Sequence, residues 1–224
     1  MGKTILPLLI ILSSLSAFAQ RPKEIQLRAG YGLAAYKSDI NFSYDLGGTK
    51  IAFDTTDGAA TAHVPIEIRY DVTEMFNAGI DLKFGKYLYA PDDQEAGKTN
   101  KFTIIGIGGE FNVYNTDDAR VFLGAGFNSG KLEISERKAS LLSAYTETSE
   151  WQGSGFKLSL GVLYFFGKSP VGLNLNFNYD QHNFDLKSFK RDGTSQDLTN
   201  FSGTLKVGGP EINLGIVIRL KKTT

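Results

Sequence analysis

The 224-residue sequence contains no cysteine, and its acidic and basic residues balance to a formal net charge of zero. Without cysteine the chain can form no disulfide bond and cannot carry a lipid attached to an N-terminal cysteine. A balanced charge provides no field that would attract nucleic acid, and no block of lysine or arginine stands out. The composition therefore argues against a nucleic-acid partner.

Long apolar runs are scarce as well. Past residue 20 no run reaches about 18 apolar residues, so the sequence predicts no membrane-spanning helix. The first twenty residues, MGKTILPLLIILSSLSAFAQ, combine an early lysine, an apolar run of about 11 residues and the small residues Ala17 and Ala19. This pattern predicts a secretory signal peptide over residues 1–19. The remaining length fits a single domain over residues 20–224.

Apolar residues recur at every second position in eight separate runs, which is typical of strands with one apolar face. Most runs approach the ~9 to 11 residues that a tilted strand needs to cross a hydrocarbon layer. The predicted strands lie near residues 25–35, 64–70, 76–84, 105–113, 121–127, 156–166, 171–179 and 211–220.

The connections between these runs alternate in length. Those after the second, fourth and sixth strands have about four to six residues, which is hairpin length. Those after the first, third, fifth and seventh have about 16 to 27 residues. Short turns on one side and long loops on the other predict an all-β, eight-stranded antiparallel up-and-down transmembrane barrel, with short periplasmic turns and long extracellular loops.

The polar face of the strands indicates which side meets lipid. A soluble barrel that binds an apolar ligand would also alternate, with its apolar side inward. Ten glycines lie on the polar face, however, where a narrow lumen needs small side chains, and the charges there nearly balance, as an enclosed lumen requires. The sequence thus predicts a polar network inside the barrel, formed by Arg28, Glu67, Arg69, Asp81, Lys83, Glu110, Lys157, Asn174, Asn176, Asn178, Glu211, Asn213 and Arg219.

The stretch VGLNLNFNYD, residues 171–180, places three asparagines on that polar face. An amide supplies donors and acceptors without net charge, so we expect these side chains to join the interior network beside Lys157 or Arg219. Pro65 interrupts the second strand, where it cannot donate to the ladder, and is expected at a bulge or above the membrane.

With these features the chain resembles the small eight-stranded bacterial outer-membrane barrels of the OmpA and OmpX type. In the last strand Asn213, Gly215, Ile218 and Leu220 resemble the signal by which the barrel assembly machinery recognises its clients. The resemblance implies the outer membrane as location, and outer-membrane lipid and the barrel assembly machinery as partners. Unlike many members, the chain does not end on an aromatic residue, because Leu220 is followed by four further residues.

Chemistry-bearing motifs are few. The two histidines are His63, near the top of the second strand, and His182, in the fourth long loop, and no nucleophile elbow accompanies them. The acidic pieces Asp92, Asp93 and Glu95, and Asp117 with Asp118, lack the spacing of a calcium loop. We therefore expect no cofactor, no metal and a non-enzymatic, structural or surface-interaction role through the long loops. The alternatives are a lipid-modifying enzyme that uses a loop-proximal histidine, or the soluble ligand-binding barrel.

Several apolar residues fall in the predicted long loops, namely Leu88, Tyr89, Leu141, Leu142, Tyr145 and Trp151. They would form a binding surface for an extracellular or envelope protein partner if they are exposed. Equally, strands that continue beyond the membrane would bury them in a small extracellular sheet. The sequence leaves the two interpretations open, and it does not identify the partner.

Overall fold

The computed structural model describes residues 24–88, 97–139, 144–167 and 169–221. The predicted signal peptide lies outside these residues, as do Tyr89, Leu141, Leu142 and the acidic piece around Asp92. Among the described residues no helix is long and apolar enough to span a membrane.

Eight long strands form a closed ring, one short strand pairs at its edge, and all pairings are antiparallel. Each long strand pairs with its neighbour in sequence, and β9 closes the ring against β1, so the predicted up-and-down barrel is confirmed. The short β8 pairs only with the end of β7. The strands are β1 (Glu24–Leu46), β2 (Thr49–Asp71), β3 (Phe76–Leu88), β4 (Thr99–Asn115), β5 (Ala119–Ala139), β6 (Ala144–Phe165), β7 (Val171–Arg191), β8 (Thr194–Ser195) and β9 (Phe201–Lys221).

The part of the barrel next to the short turns, called the lower part below, carries its apolar residues on the outside. Ile107 is 67% exposed and Phe127 is 75% exposed. Many other aliphatic and aromatic side chains at alternate positions of the long strands are exposed as well. The alternate residues in between point into the barrel and are buried, including charged ones such as Arg28 and Arg69. These outward side chains form an apolar belt around the barrel. Exposing this belt to water would be unfavourable, whereas contact with lipid is favourable.

The strands are much longer than the alternation predicted. β1 and β2 each have 23 residues, and the predicted first long loop is replaced by a continuous hairpin that pairs up to Leu46 and Thr49. Its turn consists of Gly47 and Gly48, whose φ angles of 59° and 95° suit the two central positions of a type I′ turn. The sheet therefore extends beyond the apolar belt at the end opposite the short turns, which we call the extended end.

The strand extensions escaped the sequence pattern because their outward positions change from apolar to polar. Along β1 the outward series ends with Leu33 and Ala35 and continues with Lys37, while Tyr36 faces inward and is buried. Pro65 causes no bulge, since the pairing of β1 with β2 keeps one register on both sides of it. Its ring is buried inside the barrel.

Candidate functional site: a cavity above a filled lumen

The interior of the barrel is built in layers along its axis, beginning at the short-turn end. There Arg120 pairs with Glu24 at 2.7 Å and with Asp71 at 3.0 Å. The guanidinium groups of Arg120 and Arg219 both lie over the ring of Phe165, at 5.9 Å and 4.1 Å from its centroid. These contacts close the lower end with paired charges and a buried aromatic ring.

The middle layer contains three cations and three carboxylates. Arg28 donates to both carboxylate oxygens of Glu110 at 2.8 Å, and Arg69 donates to Glu110 at 3.0 Å. The remaining ion pairs of the layer join Arg28 to Glu67, Arg69 to both Asp81 and Glu67, and Lys157 to the same two carboxylates. Because each buried charge has a partner of opposite sign, the layer is electrically balanced.

The upper polar layer is organised around Lys83, whose ammonium group pairs with Asp180 and Glu211. Glu211 also accepts hydrogen bonds from Tyr36 at 3.0 Å and from Asn178 at 2.9 Å. Glu211 is thereby surrounded by donors on several strands, as a buried carboxylate requires.

His63 belongs to the same layer. Its Nε2 lies 2.9 Å from Oδ1 of Asn213 and 3.4 Å from Oε1 of Glu211. Gly32 faces the ring, and a Cβ at that position would overlap both His63 and Asn213. The side chains fill this level of the lumen so completely that a glycine is needed opposite them.

Above the polar layers the interior becomes apolar. Phe184 stacks on His182 with 5.6 Å between ring centroids, and a void of only about 10 Å³ remains between the side chains here. That volume corresponds to roughly one water molecule or less. The upper apolar cluster consists of Ala34, Tyr36, Phe102, Ile104, Leu132, Trp151, Phe184, Leu205 and Val207.

A cavity of about 580 Å³ lies above this cluster, within the extended end. Its floor and walls are mainly aromatic and aliphatic, and its rim is charged. Phe42, Trp151, Leu186 and Phe201 contribute apolar surface, while Lys138 and Glu147 contribute the charged rim. We refer to this space as the vestibule.

The vestibule rim is held by ion pairs. Lys138 lies 3.0 Å from Glu147, and Arg191 lies 2.9 Å from the same carboxylate. Partial burial raises the pKa of Glu147, but the hydrogen bonds from Lys138 and Arg191 outweigh it, so that the pKa lies below its usual value. Glu147 is therefore ionised at neutral pH.

Comparison with known sequences identifies the family. The sequence profile of the outer membrane protein beta-barrel domain matches residues 5–209. The chain belongs to this family. It matches no curated protein sequence.

Solved outer-membrane barrels are similar in structure. Neisserial surface protein A is 17% identical with a TM-score of 0.40, and the match covers 85% of this chain and 97% of that one. Ail of Yersinia pestis is 12% identical with a TM-score of 0.43 over 89% of this chain and all of its own. The outer membrane protease OmpT of Escherichia coli is 11% identical with a TM-score of 0.38, over 87% of this chain and 97% of its own.

The protein is thus an outer-membrane β-barrel whose apolar belt faces lipid. In this family the short turns lie on the periplasmic side and the longer connections outside, which makes the extended end of this barrel the extracellular end. The vestibule opens there.

All of the predicted network residues point into the barrel, but their partners differ in part from the prediction. The asparagines of β7 were expected beside Lys157 or Arg219. Lys157 instead pairs with carboxylates of the middle layer, and Arg219 donates to the backbone carbonyls of Asp117, Gly167 and Ser169. Of these three asparagines, only Asn178 donates to an acid among the residues that the structure describes, and that acid is Glu211.

The predicted loop position of His182 is wrong. The residue lies within β7 and is 3% exposed inside the barrel, because the alternation of β7 continues without interruption past Asp180. His63 is 2% exposed in the upper polar layer. Neither histidine lines the vestibule.

Sequence reasoning missed the lower pairing of Arg120 with Glu24 and Asp71, and it missed the vestibule. Arg120 follows NTDDA directly and resembled a turn residue. One wall of the vestibule contains a bulge in β7, where Ser188 pairs with Glu150 but Leu186 pairs with Trp151, leaving Lys187 as the extra residue. A bulge reverses the alternation beyond it, so Leu186 and Phe189 both face the vestibule.

Of the apolar residues in the predicted long loops, Trp151 is 4% exposed and belongs to the upper apolar cluster, and Tyr145 is half-buried in β6. Leu88, in contrast, is exposed at the end of β3. The interpretation in which strands continue and bury such residues therefore holds for Trp151.

Proposed function

We propose that the protein is a non-enzymatic outer-membrane protein that acts through its extracellular end, with a lumen closed to diffusion. The observation that carries the proposal is the contrast between the two halves of the interior. The membrane half is filled by paired charges and amides, whereas the extracellular half contains an open vestibule. Recognition on the outer side of the cell is the activity that this arrangement supports.

The closed lumen follows from the size of the ring and from the interior layers. Eight strands leave an interior just wide enough for side chains. Ion pairs join β1 to β4 and β3 to β7 and β9 across that space, through Arg28 with Glu110 and through Lys83 with Asp180 and Glu211. Opening a path would separate oppositely charged groups that are buried together, which is costly in free energy.

Single-channel recording in planar bilayers tests this part of the proposal. The reconstituted wild-type protein should show no stable conductance steps at neutral pH. Reproducible openings of defined size would overturn the closed lumen, provided that heat-modifiable gel migration shows the protein to be folded.

The second part of the proposal is that the protein has no enzymatic activity. Both histidines lie beneath or within the upper apolar cluster, and His63 contacts an amide and a carboxylate rather than a serine. Among the described residues no group of three or more histidine, cysteine or acidic side chains could hold a metal ion. We expect the double variant His63→Gln, His182→Gln to leave the envelope lipid profile of the producing cell unchanged. A changed profile at equal levels of folded protein would favour the lipid-modifying alternative.

We further propose that outer-membrane lipid surrounds the belt and that the barrel assembly machinery inserts the chain through the signal predicted in β9. Asn213 and Gly215 point inward there, whereas Ile218 and Leu220 face the lipid side. The partner recognised outside the cell is either an extracellular or envelope protein or a smaller molecule that fits the vestibule.

A further inference from the structure

We propose that the vestibule binds one small amphipathic molecule, with an apolar body against Trp151 and a neutral or zwitterionic head group at the charged rim. This inference rests on the proposed function, because it requires the extracellular end to be the working end. It adds the chemical class of the ligand and the residues that recognise it.

The lower wall of the vestibule provides aromatic surface. Trp151 packs against Phe42 at 5.9 Å between ring centroids, and Phe42 stacks on Phe201 at 5.4 Å with planes 20° apart. The indole N–H donates to Oγ of Ser149 at 2.9 Å, so the polar atom of Trp151 is satisfied without a ligand. The rings therefore offer the vestibule their apolar surface, which suits an aliphatic chain or a flat ring system.

The volume is appropriate for one molecule. A cavity of about 580 Å³ falls within the ~300 to 1,000 Å³ typical of small-molecule sites. Such sites are mostly apolar with a few polar groups that orient the ligand, which is the composition of the vestibule wall and rim.

The rim determines the kind of head group. Lys138 and Arg191 both contact Glu147, and Glu136 lies 3.9 Å from Lys138. Lys98 and Asp197 also line the vestibule, so together with Arg191 three cations lie near three carboxylates and neither sign dominates. A zwitterionic or neutral head group can meet both signs, whereas a head group with a single charge would face a group of the same sign on either side.

The closed floor of the vestibule indicates that a ligand is retained there and does not pass through the barrel. The upper apolar cluster beneath Trp151 leaves a void of about 10 Å³, and the layer around Lys83 follows below it. A molecule that enters from outside thus reaches a closed end. We infer capture at the cell surface and not transport through the lumen.

Trp151 makes binding directly measurable, because it is the one tryptophan in the sequence. The full-length protein, folded into phosphatidylcholine vesicles, is titrated with three octyl amphiphiles that carry a terminal bromine and differ only in head group. The heads are phosphocholine, sulfate and trimethylammonium. Bromine quenches tryptophan only at contact, so quenching reports a tail seated against the indole.

We expect saturable quenching, with the phosphocholine amphiphile binding at least about threefold more tightly than either charged one, as balanced rim charges require. The proposal is overturned if none of the amphiphiles quenches Trp151 saturably, or if a singly charged head group binds best.

Two variants separate vestibule binding from quenching by bromine in the bilayer. Leu186 faces the vestibule and Lys187, its neighbour in β7, faces solvent, so the same new carboxylate can be introduced on either side. Leu186→Glu should weaken binding about tenfold or more, because an apolar tail would contact an unpaired charge. Lys187→Glu should bind like the wild type. Equal quenching in both variants would assign the signal to the bilayer and refute the site.

Heat-modifiable migration shows whether each variant has folded. If Leu186→Glu does not fold, the milder Ile40→Asn changes another half-buried position of the vestibule wall and should also weaken binding. Unchanged binding in that folded variant would count against the site. The result is distinguishable from a failure of the proposed function, because conductance measures the closed lumen independently of Trp151.

Discussion

Lys83 lies between two carboxylates in the upper polar layer, and all three side chains are almost fully buried. Replacing it with methionine would leave Asp180 and Glu211 uncompensated in the lumen, so we expect a loss of about 3 to 5 kcal/mol in the free energy of unfolding. Urea unfolding of the variant and the wild type in lipid vesicles measures this difference in the free energy of unfolding.

An exposed ion pair provides the control for that substitution. Lys37 lies 3.1 Å from Asp39, but both side chains are largely exposed. Lys37→Met should therefore leave the free energy of unfolding nearly unchanged. Equal effects of the two substitutions would mean that the charges around Lys83 are solvated.

Glu147 titrates at the vestibule rim, outside the membrane. Because its folded pKa is lowered, the stabilisation it provides is complete above its unfolded pKa and is lost as the pH falls through the lower folded value. An NMR titration of the side-chain carboxyl carbon should give a midpoint below the ordinary pKa of a glutamate. Lys138→Met should raise that midpoint, and a midpoint unaffected by Lys138 would contradict the assigned contact.

At the scale of the strand, β7 shows that residues of one type and one face need not contribute equally. Asn178 donates to Glu211, whereas the side-chain oxygens of Asn174, Asn176 and Asn178 accept no hydrogen bond within the described part of the chain. Replacement of all three by leucine should impair folding, because leucine cannot donate to Glu211.

Single substitutions show how much each asparagine contributes to the stability of the folded barrel. Asn178→Leu should cost about 1 to 3 kcal/mol, because it removes a donor from a buried carboxylate. Asn174→Leu makes the same change of side chain but breaks no such contact, so its cost should be smaller. Urea unfolding of both in the same vesicles provides the comparison, and a larger cost for Asn174→Leu would contradict the contact seen at Glu211.

The strands also show what the sequence could predict. Alternation located all eight strands and assigned inward and outward faces, because lipid outside and charges inside give a strong contrast at Arg28 or Glu110. It underestimated strand length, because above the belt the inward side becomes apolar at Tyr36 and Phe102 while the outward side becomes polar at Lys37. The bulge at Lys187 was not predictable, since a single extra residue leaves no compositional signal.

At the scale of the whole molecule, the barrel divides into a membrane half and an extracellular half with separate interiors. Residues 42–53, the upper part of the β1–β2 hairpin, form part of the vestibule wall through Phe42 and Tyr44, and they take no part in the ion pairs described above for the polar layers. The membrane half should therefore fold without it. Replacing residues 42–53 with Asn-Gly, a favoured two-residue turn, tests this expectation.

We expect this shortened protein to retain heat-modifiable migration and a closed lumen while losing quenching by the brominated amphiphiles. A full-length barrel with Lys50→Ala serves as the control, because Lys50 lies in the same hairpin, is exposed and does not line the vestibule. Failure of the shortened chain to fold in lipid would show that the two halves depend on each other.

The exchange of polar and apolar faces partway up the strands also fixes how deeply the barrel sits. Below the exchange, outward residues such as Leu33 favour hydrocarbon; above it, residues such as Lys37 favour water. A displacement along the membrane normal would move lysines into lipid or leucines into water, and a one-residue slip between strands would invert both halves together. The outer surface of the barrel thus fixes its depth in the membrane, and the mouth of the vestibule is held at a constant distance from the outer leaflet.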